Sequence, residues 1–204
     1  MSRVLVIDTA TAACSVALVE DGATLAETHE VVGRGHAERL MPMIAALPGG
    51  GRADHILVDC GPGSFTGVRV GLATARALAL GWGVPVHGYS SMAAIAAAAG
   101  PEGAATIGVA LIGGHGELFV QRYATAPLAP LSDLASLPPA EAALTIIDTH
   151  VFGSGAESLV AARGSGTAHD RLPRAADAIT LPAALAQLPP SPIYGRAADA
   201  KPAA

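Results

Sequence analysis

At 204 residues the chain has room for one large domain or two small ones, and a chain of this length buries roughly 70% of its unfolded surface. Hydrophobic residues make up 51% and aromatics 3%, so Ala, Val, Leu and Ile build the core, while charged residues at 14% leave a sparsely charged surface that favours association with another protein. A net charge of -5 with one lysine, Lys201, excludes a basic face broad enough to hold nucleic acid unaided.

Arg3 to Asp8 is a continuous apolar run ending in a carboxylate, the pattern of a strand covered on both faces and therefore central in its sheet. Asp8 also interrupts any signal-like apolar region, and no apolar run reaches the roughly 18 residues that span a bilayer, so a cytoplasmic protein is expected. Cys14 and Cys60 stand without a CxxC partner and are expected as reduced thiols. Cys14 to Glu20 reads as a second strand, Asp21-Gly22 as a hairpin turn, and Thr24 to Val32 as a third, more polar strand at the sheet edge. His36 to Leu47 predicts a helix with Leu40, Met43, Ile44 and Leu47 on one side, kinked by Pro42 and ended by Pro48 to Gly51. His55 to Asp59 is a fourth strand.

The stretch from Gly61 to Leu80, GPGSFTGVRVGLATARALAL, leads from that strand into a helix that is apolar on nearly every side. Ser64 or Thr66 can cap it. Gly67, Gly71, Ala75 and Ala79 recur every four residues as a stripe of small side chains, with Arg69 and Arg76 its only charges. One face must lie on its own sheet and another against something else, and periodicity does not say which. Pro85 to Tyr89 and Ser91 to Ala99 complete a β-β-β-α-β-α-β-α order, which fits a ribonuclease-H-like α/β core with a mixed sheet and flanking helices, as in the actin, sugar-kinase and Hsp70 superfamily.

From Gly100 the pattern weakens. Ala105 to Ile112 and Glu117 to Ala124 predict a hairpin around Gly113-Gly114, Leu144 to Asp148 another strand, and Glu157 to Ala162 and Leu181 to Leu188 short helices, with loops at Pro138-Pro139 and Pro189-Pro190. The expectation is two domains, 1–100 and a smaller, reduced 101–204, with no internal repeat.

Chemistry is sparse. Gly61 to Gly67 follows a strand and opens a helix, as a phosphate loop does, but reads better as a packing turn. Asp8, Thr9 and Thr11 are weak cofactor candidates, because Asp-Thr-Ala-Thr replaces the DxGxT of phosphate-binding relatives; Asp8 reads better as a turn cap. No two of the seven histidines stand four apart, which excludes a two-histidine helical metal site, and the position of Lys201 excludes a Walker A loop. Ser64 lacks a nucleophile elbow, since Pro62 replaces its first glycine. Neither catalytic nor metal-ligating residues are assigned.

Asp8-Thr9-Ala10-Thr11, Cys14-Ser15-Val16-Ala17, His36 with Leu40 and Pro42, and GPGSFTGVRVGLATARALA together resemble the bacterial TsaB (YeaZ) family over residues 3 to about 99. The resemblance implies a catalytically inert relative of TsaD that pairs with it in making threonylcarbamoyladenosine next to the anticodon of tRNAs reading ANN codons. It implies no cofactor of its own, with ATP and metal on partner subunits, and as partners TsaD, the ATPase TsaE, a second copy when the chain is alone, and tRNA only through the complex. It puts the pairing face on the two helices, with His36, Leu40, Met43, Ile44, Val68, Arg69, Leu72, Ala75, Arg76 and Ala79 as interface residues, and predicts that Leu72→Glu or Ala75→Arg breaks pairing while the monomer stays folded. The second half departs from the family at Ile112-Gly113-Gly114-His115, at Phe119, and at Gly195 within Pro192 to Arg196. An ATP-dependent small-molecule kinase of the same superfamily and a glycoprotease-like protein are the alternatives.

Overall fold

The computed structural model describes residues 2–99 and 104–195. Lys201, Arg196 and the expected boundary between residues 100 and 101 lie outside them. The first sheet is built from β1 (Arg3–Asp8), β2 (Ala13–Glu20), β3 (Ala23–Val31), β4 (His55–Asp59) and β5 (Val86–Tyr89), in the order β3-β2-β1-β4-β5. The β1–β2 and β2–β3 pairs are antiparallel, whereas β4 and β5 add parallel to β1. As its unbroken apolar run requires, β1 is central, and the polar β3 takes the edge. A fold with this strand order is the mixed α/β sheet expected.

Two helices, α1 (His36–Ala46) and α2 (Phe65–Trp82), cover one face of the sheet with Leu40, Ile44, Val68 and Leu72 against Leu5, Ile7, Val16 and Leu18. α1 runs unbroken through Pro42, whose ring faces solvent. The other face meets α3 (Ser91–Ala99), whose Met92, Ala93, Ala94, Ile95, Ala96 and Ala99 are buried between this sheet and a second one, since Leu57 and Val6 on one side and Ile107, Val109 and Leu111 on the other share its cluster. Each large side chain closed off there contributes about 1.5–3 kcal/mol.

The second sheet comprises β6 (Thr106–Ile112), β7 (Leu118–Thr125), β8 (Leu128–Pro130), β9 (Ala135–Leu137), β10 (His150–Phe152) and β11 (Thr167–His169), in the order β11-β10-β6-β7-β8 with β9 also on β7. Its β6–β7 and β7–β8 pairs are antiparallel and its β6–β10 and β10–β11 pairs parallel. It therefore repeats the strand order and directions of the first sheet, an internal repeat that residue similarity does not reveal. On its outer face lie α4 (Pro139–Thr145) and α5 (Ala156–Arg163).

Two expectations are corrected. Leu144 to Asp148 is not a strand, because Pro138-Pro139 opens a helix that carries Leu144 and Thr145 before the chain straightens, and the strand follows at β10. Proline's fixed φ suits a helix start as well as a loop. The helix expected over Leu181 to Leu188 shrinks to α6 (Ala183–Ala186), and Leu188 instead exchanges backbone hydrogen bonds with Gly88 at the free edge of β5.

Candidate partner-docking face and the acidic centre beneath it

The glycine-rich turn is a packing device. Gly61 has φ 92°, Ser64 caps α2 by accepting from the Gly67 amide at 3.2 Å, and Gly83 ends the helix at φ 70°. A Cβ on Gly63 would stand 2.0 Å from the Ala10 carbonyl oxygen, and one on Gly67 2.1 Å from that of Thr9. The β1–β2 turn is thus pressed against the start of α2, and Thr9 Oγ1 donates to the Gly67 carbonyl at 2.7 Å. The space in which a phosphate loop would hold its ligand is filled by the chain's own backbone.

This settles the orientation that periodicity left open. The small-residue stripe faces the chain's own sheet, with Gly67, Gly71, Ala75 and Ala79 buried beside Val68 and Leu72. From α1, Leu40, Met43 and Ile44 are also buried, and so is His36, whose Nε2 lies 2.9 Å from the Thr11 carbonyl and 3.2 Å from that of Ala13. In the Nε2–H tautomer it pins the start of α1 to the β1–β2 turn. Eight of the ten residues expected at an interface therefore lie in the interior. Ala75→Arg would place a guanidinium in the core, so the expectation that this variant leaves the monomer folded is corrected.

The remaining two hold the chain's own C-terminal segment. Arg69 stacks on Phe65, its guanidinium carbon 3.3 Å from the ring centroid, and donates to the Tyr194 hydroxyl at 2.9 Å. Arg76 donates to the Pro190 carbonyl at 2.5 Å, and the Ile193 amide donates to the Cys60 carbonyl at 2.8 Å. The segment from Leu188 to Tyr194 thus straps β5 to the flank of α2.

What α1 and α2 present outward is a different set. Ala37, Met41 and Ala45 on α1, and Ala73, Ala77 and Leu80 on α2, recur at three- and four-residue spacing, Phe65 stands about two turns before Ala73, and all are exposed. Phe65 is 70% and Leu80 87% accessible, and the two helices pack side by side. Sequence reasoning missed this face because the small-residue stripe drew attention to the opposite one.

Beneath the turn lies a closed acidic centre. Asp8 ends β1 and Asp59 ends β4, one position beyond the Ile7–Val58 pair of these parallel neighbours, and neither is accessible. Tyr89 donates to Asp8 Oδ2 at 3.1 Å, Ser91 Oγ to Asp59 Oδ2 at 2.6 Å, and the Gly61 amide to Asp59 Oδ1 at 2.7 Å. Burial pushes Asp8 up to about 6, against the hydrogen bonds from Asp59 and Tyr89 that favour its charge. Burial and then the Asp8 charge push Asp59 further still, so Asp59 holds the proton the pair shares. The sequence pointed to Asp8 alone; the signal for its partner was a second apolar run ending in Asp.

Of the weak cofactor candidates, Asp8 and Thr9 are sealed inside, and Thr11 borders a cleft of about 380 Å³ between the ends of the two sheets. That cleft is lined by Gly33, Gly63, Gly113 and Gly114 with the hydroxyls of Ser64 and Ser154, and among the described residues no charged side chain lines it. Among the described residues no helix is long and apolar enough to cross a membrane.

Comparison with known proteins places this geometry. The family described as "TsaD: tRNA N6-adenosine threonylcarbamoyltransferase" matches residues 28–127. The chain is 40% identical over 127 residues to the tRNA threonylcarbamoyladenosine biosynthesis protein TsaB of Escherichia coli K12, covering 59% of this chain and 54% of that one. It is 43% identical over 102 residues to the protein of the same name from Haemophilus influenzae, covering 47% and 42%. The chain thus spans about half the length of the curated relatives it matches. The solved structure of YeaZ from Pseudomonas aeruginosa superposes with a TM-score of 0.81 at 31% identity, over 95% of this chain and 100% of that one.

Proposed function

The chain belongs to the TsaB (YeaZ) family, and from that premise we propose that it is a non-catalytic subunit that docks on TsaD through the outward faces of α1 and α2. In this reading it serves threonylcarbamoyl transfer to the adenosine next to the anticodon of tRNAs reading ANN codons. The carrying observation is the outward face itself. Phe65 and Leu80 stand in solvent on a helix whose other side is already satisfied by its own sheet. Exposed large apolar side chains clustered on adjacent helices favour a protein partner, and a specific complex needs roughly 1,200–2,000 Å² of total buried surface. Small Ala73 and Ala77 between them let a partner helix approach to about 8 Å between axes.

A scaffold role also agrees with the interior. The acidic centre is sealed and hydrogen-bonded, and among the described residues the cleft offers no side-chain cation to a phosphate. ATP and metal are then the business of TsaD and TsaE, and tRNA meets this chain only within the complex. Reconstituting tRNA modification from TsaD, TsaE and threonylcarbamoyl-adenylate, with and without this chain, tests the reading. We expect modification to depend on its addition. Equal rates in its absence, or turnover of ATP by the isolated chain, would contradict it and favour the kinase alternative.

A further inference from the structure

The second sheet carries a histidine pair that the docking face does not use. His150 opens β10 and His169 closes β11, parallel neighbours in which His150 pairs with Thr167 and Phe152 with His169. Residues two apart on a strand share a face, so His150, Phe152 and His169 lie together. The His169 ring stacks on Phe152 with centroids 4.3 Å apart and planes 8° from parallel, which fixes its orientation. His150 Nδ1 then lies 3.0 Å from His169 Nε2.

That separation suits a hydrogen bond between neutral rings, and it is also the bite of a cis chelate. Metal–nitrogen bonds of about 2.0–2.1 Å, opened by about 90° to 109°, span roughly 2.9–3.4 Å between the two nitrogens. The two nitrogens already stand at that spacing, and an ion replacing the shared proton requires the rings to turn by roughly 35–45° so that both lone pairs converge on it. His150 borders a cavity of about 480 Å³ that Thr106, Arg122 and Asp148 also line, leaving space for further ligands. The charges there cancel, since Arg122 donates to both oxygens of Asp148 at 2.7 and 3.1 Å. Among the described residues no group of three or more His, Cys, Asp or Glu has metal-binding spacing, so protein supplies two ligands and solvent the rest.

We propose that His150 and His169 chelate a divalent transition ion, Cu(II), Ni(II) or Zn(II), which clips the three-residue edge strand β11 to β10. Two imidazoles select these ions over Mg(II) and Ca(II), which prefer oxygen. The full chain, stripped with chelator and dialysed, is titrated calorimetrically with nickel chloride. The expected result is one equivalent bound, at least a tenfold loss of affinity in His150→Gln and in His169→Gln, and no change in His87→Gln, which alters the other close pair, His55 and His87. In the unmutated protein, substoichiometric Ni(II) should broaden the imidazole resonances of His150 and His169 before those of other histidines, an arm that decides the matter even if both variants fail to fold. Absence of nickel binding, equal binding by both variants, or broadening centred elsewhere overturns the proposal.

Discussion

The two sheets run the same strand order in the same directions, yet they are built to different tolerances. In the first, β1 to β4 are five to nine residues long, and α2 behind them has eighteen. In the second, four of six strands have three residues and the equivalent helix α5 has eight. Both use the same joint. After β4 comes Gly61-Pro62-Gly63, where a Cβ on Gly63 would stand 2.0 Å from the Ala10 carbonyl oxygen in the β1–β2 turn, and after β10 comes Gly153-Ser154-Gly155, where one on Gly153 would stand 2.2 Å from that of Ala110 within β6. The contents of the joint differ. Asp8 and Asp59 end adjacent strands one position past the Ile7–Val58 pair in the first sheet, while in the second β10 ends at Phe152, opposite Val109. The second sheet instead puts its buried carboxylate, Asp148, before β10 and pairs it with Arg122, while Arg163 Nη1 holds the backbone there by donating to the Ile146 and Asp148 carbonyls. One repeat unit is held by apolar packing around an acid pair, the other by short strands and arginine.

Breaking the first unit should cost most. Ala75→Arg puts an unpaired charge into a fully buried position, and a loss of about 3–5 kcal/mol is expected, read as an unfolded or strongly shifted denaturation curve. The second unit should break more gently. Arg122→Met leaves the Asp148 carboxylate buried without its main partner, and because Arg122 is part-exposed, about 2 kcal/mol is expected from chemical denaturation.

The acid pair sharpens the comparison through pH. The folded protein holds Asp8 protonated up to about pH 6, whereas the unfolded chain releases that proton near 3.8. Between these values the folded state binds the extra proton, so stability falls as pH rises through the window, by up to about 1.4 kcal/mol per pH unit. Asp59, pushed further still, adds to the same fall, so Asp8→Asn should reduce that slope in urea midpoints measured between pH 4.5 and 6 without abolishing it; an unchanged slope would mean that other groups carry it. Tyr194→Phe, which removes only the hydroxyl held by Arg69, should cost less than about 0.5 kcal/mol, so a larger shift in thermal midpoint would show that the C-terminal strap is cooperative with the first sheet.

Much of the first unit was legible. β1, β4 and α3 were expected at their observed ends, because long apolar runs bounded by Asp, Gly and Pro are local signals. The second unit was half legible. Its hairpin and α5 have local patterns, but β10 exists only because β6, separated from it by β7, β8, β9 and α4, offers a parallel neighbour, and β11 only because β10 does. The repeat itself was invisible, since two sheets can share topology with no residue in common. Sites fared worse for a related reason. Leu72 and Ala75 sit on a helix apolar on two sides, and only the sheet beneath says which side is spoken for. His150 and His169 are nineteen residues apart, a spacing that no local motif records.

α2 packs on its own sheet with one side and, in the proposed reading, docks on TsaD with the other. The direct measurement is affinity for TsaD, by surface-immobilised titration, of the wild type and of Leu80→Glu, with the thermal midpoint of each recorded alongside. Leu80 is 87% accessible and touches little of its own chain, so the account predicts an unchanged midpoint and at least a tenfold weaker complex. Full affinity in Leu80→Glu, with Phe65→Glu equally silent, would contradict it and return the docking face to some other surface of the chain.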